Sequence, residues 1–428
     1  MPRSDTPQSD TPRSDTPRLP RARDPRLDAF RGAALVMIFI DHVPGNPYER
    51  FTLRNWGFSD AAEAFFVISG VAVGLAYAGR FSGEERAERG LWPAVQPVWR
   101  RAWTLYQAQI LLTFWAIAIF AGGSILFGLP ELLTTINLRQ VFQNTEAALL
   151  GIPLLTHQLG YVNILPAYAV LMLAAPGAIL IGLWSPRLLL ALSLALWLAA
   201  GLWYLNLPNY PNPGGWFFNP LSWQLIFMVG LATGLAMRKG ERLVPRHPAL
   251  IALAAGFLVL VLAWRYLPGL GEVLNHQMAR AQRLGAPPLF TAHDKTYVSL
   301  PRLLHILALV YLLASLASVR TLCGQAWAAP LRLMGRHGLL VFAAGTVLSL
   351  LFQVVMAGYD QPAWMAWLLP PFGIALSIAI AALAERQKAQ KRRPAAVAAS
   401  VPAQVVVPVP APVSAPVPAW TPRAHPAE

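Results

Sequence analysis

Charged residues and cysteine are both scarce in this chain. Asp, Glu, Lys and Arg make up 13% of its 428 residues, whereas soluble domains carry about 25%. The lone cysteine, Cys323, excludes an internal disulfide. The sequence also lacks a metal-ligand cluster, a Walker loop, a Rossmann glycine motif and a Gly-x-Ser-x-Gly nucleophile elbow, so no bound metal, ATP or NAD is predicted. No apolar signal peptide opens the N-terminus.

Apolar sequence dominates instead. Hydrophobic residues account for 56% of the chain, and the mean hydropathy is +0.46. Apolar runs close to the length of a bilayer crossing recur from end to end. We predict an all-α polytopic membrane protein with about ten transmembrane helices, at residues 29–46, 61–79, 103–122, 162–183, 188–206, 221–237, 249–267, 302–319, 338–357 and 364–384.

The positions of Lys and Arg predict the orientation in the membrane. If the N-terminus is cytoplasmic, the segments on that side hold 26 of the 34 Lys and Arg residues, and the opposite side holds 8. Because cytoplasmic loops are enriched in these residues, we predict that both termini are cytoplasmic. The net charge of +14 is spread over short loops between apolar runs, which favours membrane orientation over nucleic-acid binding.

The two ends of the chain have the composition of disordered tails. Residues 1–26 repeat a Ser-Asp-Thr-Pro unit that cannot bury enough apolar surface to fold. Residues 387–428 are basic and then, from Pro394, rich in Pro, Ala and Val, which predicts an extended or disordered segment. Residues 27–386 form the predicted transmembrane domain.

The first predicted helix carries polar residues in the stretch DAFRGAALVMIFIDHVPGN. Arg31 and His42 are eleven positions apart, so they share one helix face and lie about 16 Å apart along the axis. Asp28 shares that face and could hold the guanidinium in position. A polar group within a membrane indicates a functional site, but Asp41 and His42 could equally cap the outer end of a short helix. The sequence leaves both alternatives open.

Further charged residues lie at the ends of other predicted helices. Glu63 begins the second helix, where an acid could orient an imidazole on the first. The adjacent Arg100 and Arg101 precede the third helix, either as positive-inside anchors or as phosphate ligands. Arg302 and His305 lie one turn apart on the eighth helix, where they could bind an anionic group, and a hydrogen-bonded histidine of the bundle is the alternative for His305.

One outer segment is uncharged and aromatic. Residues 206–220, NLPNYPNPGGWFFNP, combine amide groups with aromatic rings. This mixture suits a hydroxyl-rich ligand such as a glycan, or an aromatic belt at the membrane interface.

These residues together resemble acyltransferase family 3. The likeness rests on Arg31 and His42, spaced as R-x10-H, on AEAFFVISG in the second predicted helix, and on arginines before the third. The string RDPRLDAFRGAALVMIFIDHVPGN, followed by FTLRNWGFSDAAEAFFVISG, is more narrowly similar to the OpgC branch, as are NILPAYAVLML, FNPLSWQLIFMVGLATG, RLLHILALVY and GRHGLLVFAAGTVLS. The likeness runs from about Arg23 to Glu385. The wider family usually spaces two arginines as R-x-x-R, whereas they are adjacent here.

The resemblance implies an enzyme, a membrane O-acyltransferase. Such proteins move an acyl group from cytoplasmic acyl-CoA to a hydroxyl of an extracytoplasmic or lipid-linked sugar. The OpgC branch is associated with succinylating periplasmic glucans. The implied location is the bacterial inner membrane, with succinyl-CoA as the favoured donor substrate, a periplasmic glucan or other envelope glycan as the acceptor, and no permanently bound cofactor.

The resemblance also implies roles for individual residues. Three arginines at the cytoplasmic boundary would hold the CoA head group: Arg31, Arg100 and Arg101. An imidazole would act as general base, with an acid that fixes its tautomer, which assigns catalysis to His42, Asp41 and Glu63. The free carboxylate of a succinyl group would be attracted by the pair Arg302 and His305.

A transporter or flippase of glycans or lipid-linked sugars is the alternative class. Ten spans with intramembrane charges would serve it equally well. Transporters often carry paired repeats, and no second copy of the Arg31–His42 pattern occurs in the later half of the chain. A mere membrane anchor for the proline-rich tail would leave the polar pair Asp41 and His42 unexplained. We therefore predict an acyltransferase.

Overall fold

The computed structural model describes residues 24–399, and over this range the regular secondary structure is helical. The prediction of an all-α protein is thereby confirmed for the described part of the chain. The predicted tails, residues 1–26 and 387–428, lie mostly outside that part, and residues 387–399 belong to the last helix. The α-helices are α1 (Pro25–Asp41), α2 (Leu53–Trp56), α3 (Ala61–Tyr77), α4 (Gly83–Arg89), α5 (Trp92–Phe127), α6 (Arg139–Gln143), α7 (Thr145–Gly151), α8 (Ile164–Trp184), α9 (Pro186–Leu202), α10 (Pro220–Lys239), α11 (Pro248–Tyr266), α12 (Pro268–Arg283), α13 (Pro288–Thr291), α14 (Leu300–Ser315), α15 (Ala317–Gly324), α16 (Ala329–Arg336), α17 (Gly338–Gly358) and α18 (Ala363–Ala399).

Short 3-10 helices complete the connections. They are Pro47–Phe51, Ala78–Phe81, Pro130–Thr134 and Ala326–Ala328. One compact unit ends at Ala382 and contains all the elements discussed below. The second unit begins at Leu383, and its described part is the C-terminal portion of α18.

Seven helices in the described range are long and apolar enough to cross a membrane. They are α3 with the 3-10 turn that follows it, α5, α8, α10, α11, α17 and the part of α18 up to Lys391. Helices α14 and α15 would make an eighth span, but the chain bends by 77° between them. By length and composition, the described range therefore has seven or eight candidate spans, and the predicted ten are not confirmed.

Two of the predicted spans fall short for a simple reason. Residues 29–46 and 188–206 lie in α1 and α9, which have 17 residues each. A full crossing needs about 20 apolar helical residues, and hydropathy alone does not show where a helix ends. The side of the membrane on which each terminus lies stays a prediction.

The backbones of helices α3 and α10 are in contact where the two helices cross. A Cβ atom at Gly70 would overlap the carbonyl oxygen of Phe227, and one at Gly230 would overlap that of Val67. Each helix presents a small-xxx-small pair to the other, namely Gly70 with Gly74 and Gly230 with Gly234. Such pairs let two helices approach closely within a membrane, where packing replaces the hydrophobic drive. This crossing fixes α3, which carries Glu63 at its start.

Helix α1 is held at its N-terminal end in the same way. A Cβ atom at Gly32 would overlap the carbonyl oxygen of Leu331 on α16, and one at Gly335 would overlap that of Asp28. The side chain of Asp24 caps α1 by accepting a hydrogen bond from the backbone N–H of Arg26 at 3.0 Å. The arginine end of α1 is therefore packed tightly against α16.

Candidate functional site

A cavity of about 1030 Å³ opens at the C-terminal end of α1. This volume lies at the upper end of the range, about 300–1,000 Å³, that is typical of small-molecule sites. We call it the histidine cavity. Its charged and aromatic lining residues are Asp41, His42, Arg54, Phe58, Asp60, Tyr161, Phe217, Phe218, Trp264, Arg265, His293, Lys295, Arg302 and Phe342.

His42 both caps α1 and lines this cavity, so the two alternatives left open by the sequence are compatible. Its carbonyl oxygen accepts a hydrogen bond from Gln353 Nε2 at 2.8 Å. Its ring packs edge to face with Tyr161, with 4.8 Å between the ring centroids. The neighbouring Asp41 accepts a hydrogen bond from Thr52 Oγ1 at 2.7 Å. The imidazole is thus positioned by its backbone and by Tyr161.

Glu63 is fully buried and forms a capping box at the start of α3. Its Oε2 accepts a hydrogen bond from the backbone N–H of Asp60 at 2.9 Å. The Asp60 carboxylate in turn accepts one from the backbone N–H of Ala62 at 2.8 Å. This arrangement satisfies two backbone donors of the first turn, and the spacing of the two acids in SDAAEA is its sequence signal.

The same two acids form a cluster with two cations. Glu63 Oε1 accepts hydrogen bonds from Arg302 Nε at 2.8 Å and from Arg302 Nη2 at 2.5 Å. Asp60 Oδ2 lies 2.5 Å from Lys295 Nζ and 3.4 Å from Arg302 Nη2. Two carboxylates and two cations therefore balance one another, and three of the four, Asp60, Lys295 and Arg302, line the histidine cavity. The Glu63 carboxylate is bound to Arg302, and no hydrogen bond joins it to the imidazole in the described structure.

His305 lies beneath the loop that leads into α3. It is 2% exposed, and its Nδ1 accepts a hydrogen bond from the backbone N–H of Ser59 at 3.3 Å, with Ser59 Oγ at 2.6 Å. A Cβ atom at Gly57 would overlap the imidazole ring, so the loop backbone packs directly on it. His305 therefore has the contacts of a hydrogen-bonded bundle histidine, whereas Arg302, one turn away, lines the cavity.

A second cavity, of about 360 Å³, lies at the N-terminal end of α1. We call it the arginine cavity. It is lined by Arg31, Arg101, Arg336 and His337, among others. Arg31 forms an ion pair with Asp28 at 3.9 Å and donates a hydrogen bond to the carbonyl oxygen of Gly335 at 3.3 Å.

The structure distinguishes the two adjacent arginines of α5. Arg101 lines the arginine cavity, whereas Arg100 is exposed and is not part of the lining. Successive residues of an α-helix are rotated by about 100°, so two neighbours cannot face the same site equally. Arg101, rather than Arg100, is therefore placed to contact a ligand bound beside Arg31.

Phe342 on α17 lines both cavities. Its ring centroid lies 6.4 Å from that of Phe65, which lines the arginine cavity only. Consecutive residues of α8 divide in the same way, since Ile164 lines the histidine cavity and Leu165 the arginine cavity. The aromatic ring of Phe342 thus lies at the level where the two cavities meet.

The aromatic segment 206–220 contributes less to the cavity than its composition indicated. Asn206 and Asn219 donate hydrogen bonds to carbonyl oxygens of the same loop, at 2.9 Å and 2.7 Å. Phe217 and Phe218 do line the histidine cavity, and Lys295 Nζ lies 5.6 Å and 5.4 Å from their ring centroids. The amide groups of Asn206 and Asn219 therefore shape the loop itself.

Sequence reasoning missed two residues beside His42. Lys295 counts in the sequence only as one of the outer cations, and Tyr161 only as an aromatic residue of an outer segment. Tyr161 packs on the His42 ring and Lys295 lines the same cavity. Tertiary contacts bring both residues there, so no local pattern marks them. Within residues 24–399, no group of three or more His, Cys, Asp or Glu side chains is arranged to hold a metal ion.

The fold and the two cavities define a helical membrane protein with an arginine-lined site and a histidine-lined site along one helix. Residues 23–389 match the family described as OpgC protein, so the chain belongs to that family and the resemblance found in the sequence is confirmed. Membership indicates an acyltransferase-type function on glucans. No curated protein and no solved structure matches the chain.

Proposed function

We propose that this protein is an inner-membrane O-acyltransferase that moves a succinyl group from cytoplasmic succinyl-CoA to a hydroxyl of a periplasmic glucan or another envelope glycan. The observation that supports this most is the pair of cavities at the two ends of α1. One is lined by arginines and the other by His42. They are separated by about 16 Å of helix. Both termini face the cytoplasm in this proposal.

The arginine cavity suits the anionic head group of the donor. Guanidinium groups form strong, often bidentate hydrogen bonds to phosphates. Arg31 and Arg101 supply two such groups, and Arg336 and His337 line the same cavity. The pantetheine arm would run alongside α1, pass Phe342, and bring the thioester into the histidine cavity.

The chemistry in the histidine cavity is an acyl transfer assisted by a general base. The His42 imidazole takes the proton of the acceptor hydroxyl, the sugar oxygen attacks the thioester carbonyl, and the carbon–sulfur bond breaks. The imidazolium then returns its proton to the departing CoA thiolate. Asp41 supplies negative charge beside the imidazolium. Glu63 acts as a positioning residue through its bond to Arg302.

The acyl group has a place beside the cation cluster. Arg302 and Lys295 both line the histidine cavity and are fixed by their carboxylate partners. They would attract the free carboxylate of a succinyl group, while His305 holds the loop beneath them. The cluster has no net charge, so its attraction for the succinyl carboxylate depends on N–H groups of Arg302 and Lys295 that point into the cavity.

The test is succinyl substitution of periplasmic glucans in cells that lack this protein. We expect wild type to restore the succinyl esters and His42→Ala to fail, because positioned general-base catalysis contributes about a hundred- to ten-thousand-fold. His276→Ala is the matched control, since that histidine is exposed on α12 outside both cavities. A His42→Ala variant with most of the wild-type activity would refute the assignment. Unchanged esters with less glucan outside the membrane would favour a transporter instead.

A further inference from the structure

One wall of the histidine cavity consists of aromatic and amide side chains that the proposed chemistry does not use. Trp264 at the end of α11, Phe58 before α3 and His293 before α14 form a ring cluster. Phe58 and His293 lie 4.2 Å apart at 34°, and Trp264 stands nearly perpendicular to both, at 5.2 Å and 5.8 Å. Trp264 Nε1 donates a hydrogen bond to Asn275 Oδ1 at 3.0 Å. All four side chains line the cavity.

Polar groups with hydrogen-bonding capacity are interleaved with these rings. The bond from Trp264 uses the Asn275 oxygen and leaves its amide N–H groups for a ligand. Arg265 fixes the rim by donating to the carbonyl oxygen of Gly57 at 3.0 Å and to Asn55 Oδ1 at 3.2 Å. Partial burial, with the nearby charges of Arg302 and Arg265, lowers the pKa of His293 below its ordinary value. A neutral imidazole offers one donor and one acceptor.

This combination matches a sugar ring better than other ligands. A pyranose presents C–H groups on its faces and hydroxyl groups around its edge. The negative face of an aromatic ring attracts the C–H groups, and amide and imidazole groups bond the hydroxyls. A purely apolar ligand would contact only the rings of this wall and leave its amide and imidazole groups unused.

We propose that Trp264, together with Phe58, His293 and Asn275, forms a subsite for a pyranose ring of the glycan acceptor, separate from the position that receives the acyl group. This inference rests on the proposed function, because it takes the glycan as the acceptor. The subsite shares one continuous cavity with His42. It would hold a neighbouring sugar unit so that the reacting hydroxyl faces the imidazole.

The test measures glycan binding without any donor. The probe is unacylated periplasmic glucan purified from cells lacking this protein, titrated into the full-length protein in detergent. We expect Trp264→Ala to weaken binding about three- to tenfold, as for the loss of one aromatic contact. His293→Ala should act in the same direction, and Trp264→Phe should retain most of the affinity. Trp203→Ala is the matched control, because that tryptophan is 70% exposed and lies outside the cavity.

Kinetics separate the subsite from the rest of the proposal. Trp264→Ala should raise the KM for glucan and leave kcat and the KM for the donor unchanged. Binding of glucan without any acyl transfer would refute the proposed function and leave the subsite intact. The subsite is overturned if wild type does not bind the glucan, or if a Trp264→Ala protein with wild-type thermal stability binds it as well as wild type does.

Discussion

The buried ion pair between Glu63 and Arg302 leads to a quantitative prediction. Glu63 is 0% exposed, and its Oε1 accepts two hydrogen bonds from the guanidinium, at 2.8 Å and 2.5 Å. Arg302→Leu would leave this carboxylate buried without its cation. Breaking a buried pair from one side costs about 3–5 kcal/mol. Each 1.4 kcal/mol is about a tenfold change in an equilibrium constant, so the ratio of folded to unfolded protein should fall more than about a hundredfold.

A second substitution distinguishes the effect of the unpaired Glu63 carboxylate from the effect of losing the Arg302 side chain. Glu63→Gln removes the charge but keeps an oxygen that can accept the hydrogen bond from the backbone N–H of Asp60. Neutral replacement of both partners of a buried ion pair is often tolerated or even stabilising. The double variant Glu63→Gln/Arg302→Leu should therefore be more stable than Arg302→Leu alone. Asp60 keeps its own partner, Lys295, in every variant.

The assay is denaturant or thermal unfolding of the detergent-purified protein, followed by tryptophan fluorescence at one pH. Arg280→Leu is the control, because this arginine is exposed on α12, and such surface changes stay within about 0.5 kcal/mol. Wild-type stability of Arg302→Leu would refute the reasoning. So would a double variant that is no more stable than the single one, because the penalty would then not come from an uncompensated carboxylate.

Three further predictions concern the arginine cavity, the boundary between the cavities and the helix crossing. Arg101→Gln should raise the KM for acyl-CoA by about tenfold or more, as expected for the loss of a hydrogen bond to a charged group. Substitution of the exposed Arg100 by Gln should leave this KM unchanged. Equal effects of the two substitutions would contradict the assignment of Arg101 to the arginine cavity. Phe342→Ala should increase hydrolysis of acyl-CoA relative to transfer, because water would reach the thioester. Phe342→Trp should slow transfer. Product ratios that match wild type in both variants would exclude a role of Phe342 at this boundary. Gly230→Ala should destabilise the protein by about 1–3 kcal/mol or more in the same unfolding assay. The control is Gly256→Ala, which has nothing within 4 Å of its added methyl group and should be neutral or stabilising by up to about 1 kcal/mol. A more stable Gly230→Ala than Gly256→Ala would contradict the packing at this crossing.

Much of the fold was predictable because hydropathy and helical period are local properties. Apolar runs predicted an all-α membrane protein, and the length limit of a bilayer crossing placed most of the long helices. The predicted number of spans was higher than the seven or eight found in the described range, since α1 and α9 have 17 residues each and α14 ends at a sharp bend. Helix ends depend on caps and packing that a hydropathy pattern does not contain.

The sequence by itself determined the family and the spacing of the first helix. The separation of eleven positions from Arg31 to His42 puts both side chains on one face of α1, and the structure places a cavity at each. Only the tertiary structure decided which partners each residue has. It pairs Glu63 with Arg302, 239 residues away, and brings Lys295 and Tyr161 to the histidine cavity. Such contacts are made between helices that are distant in the chain, so they follow from how the bundle packs.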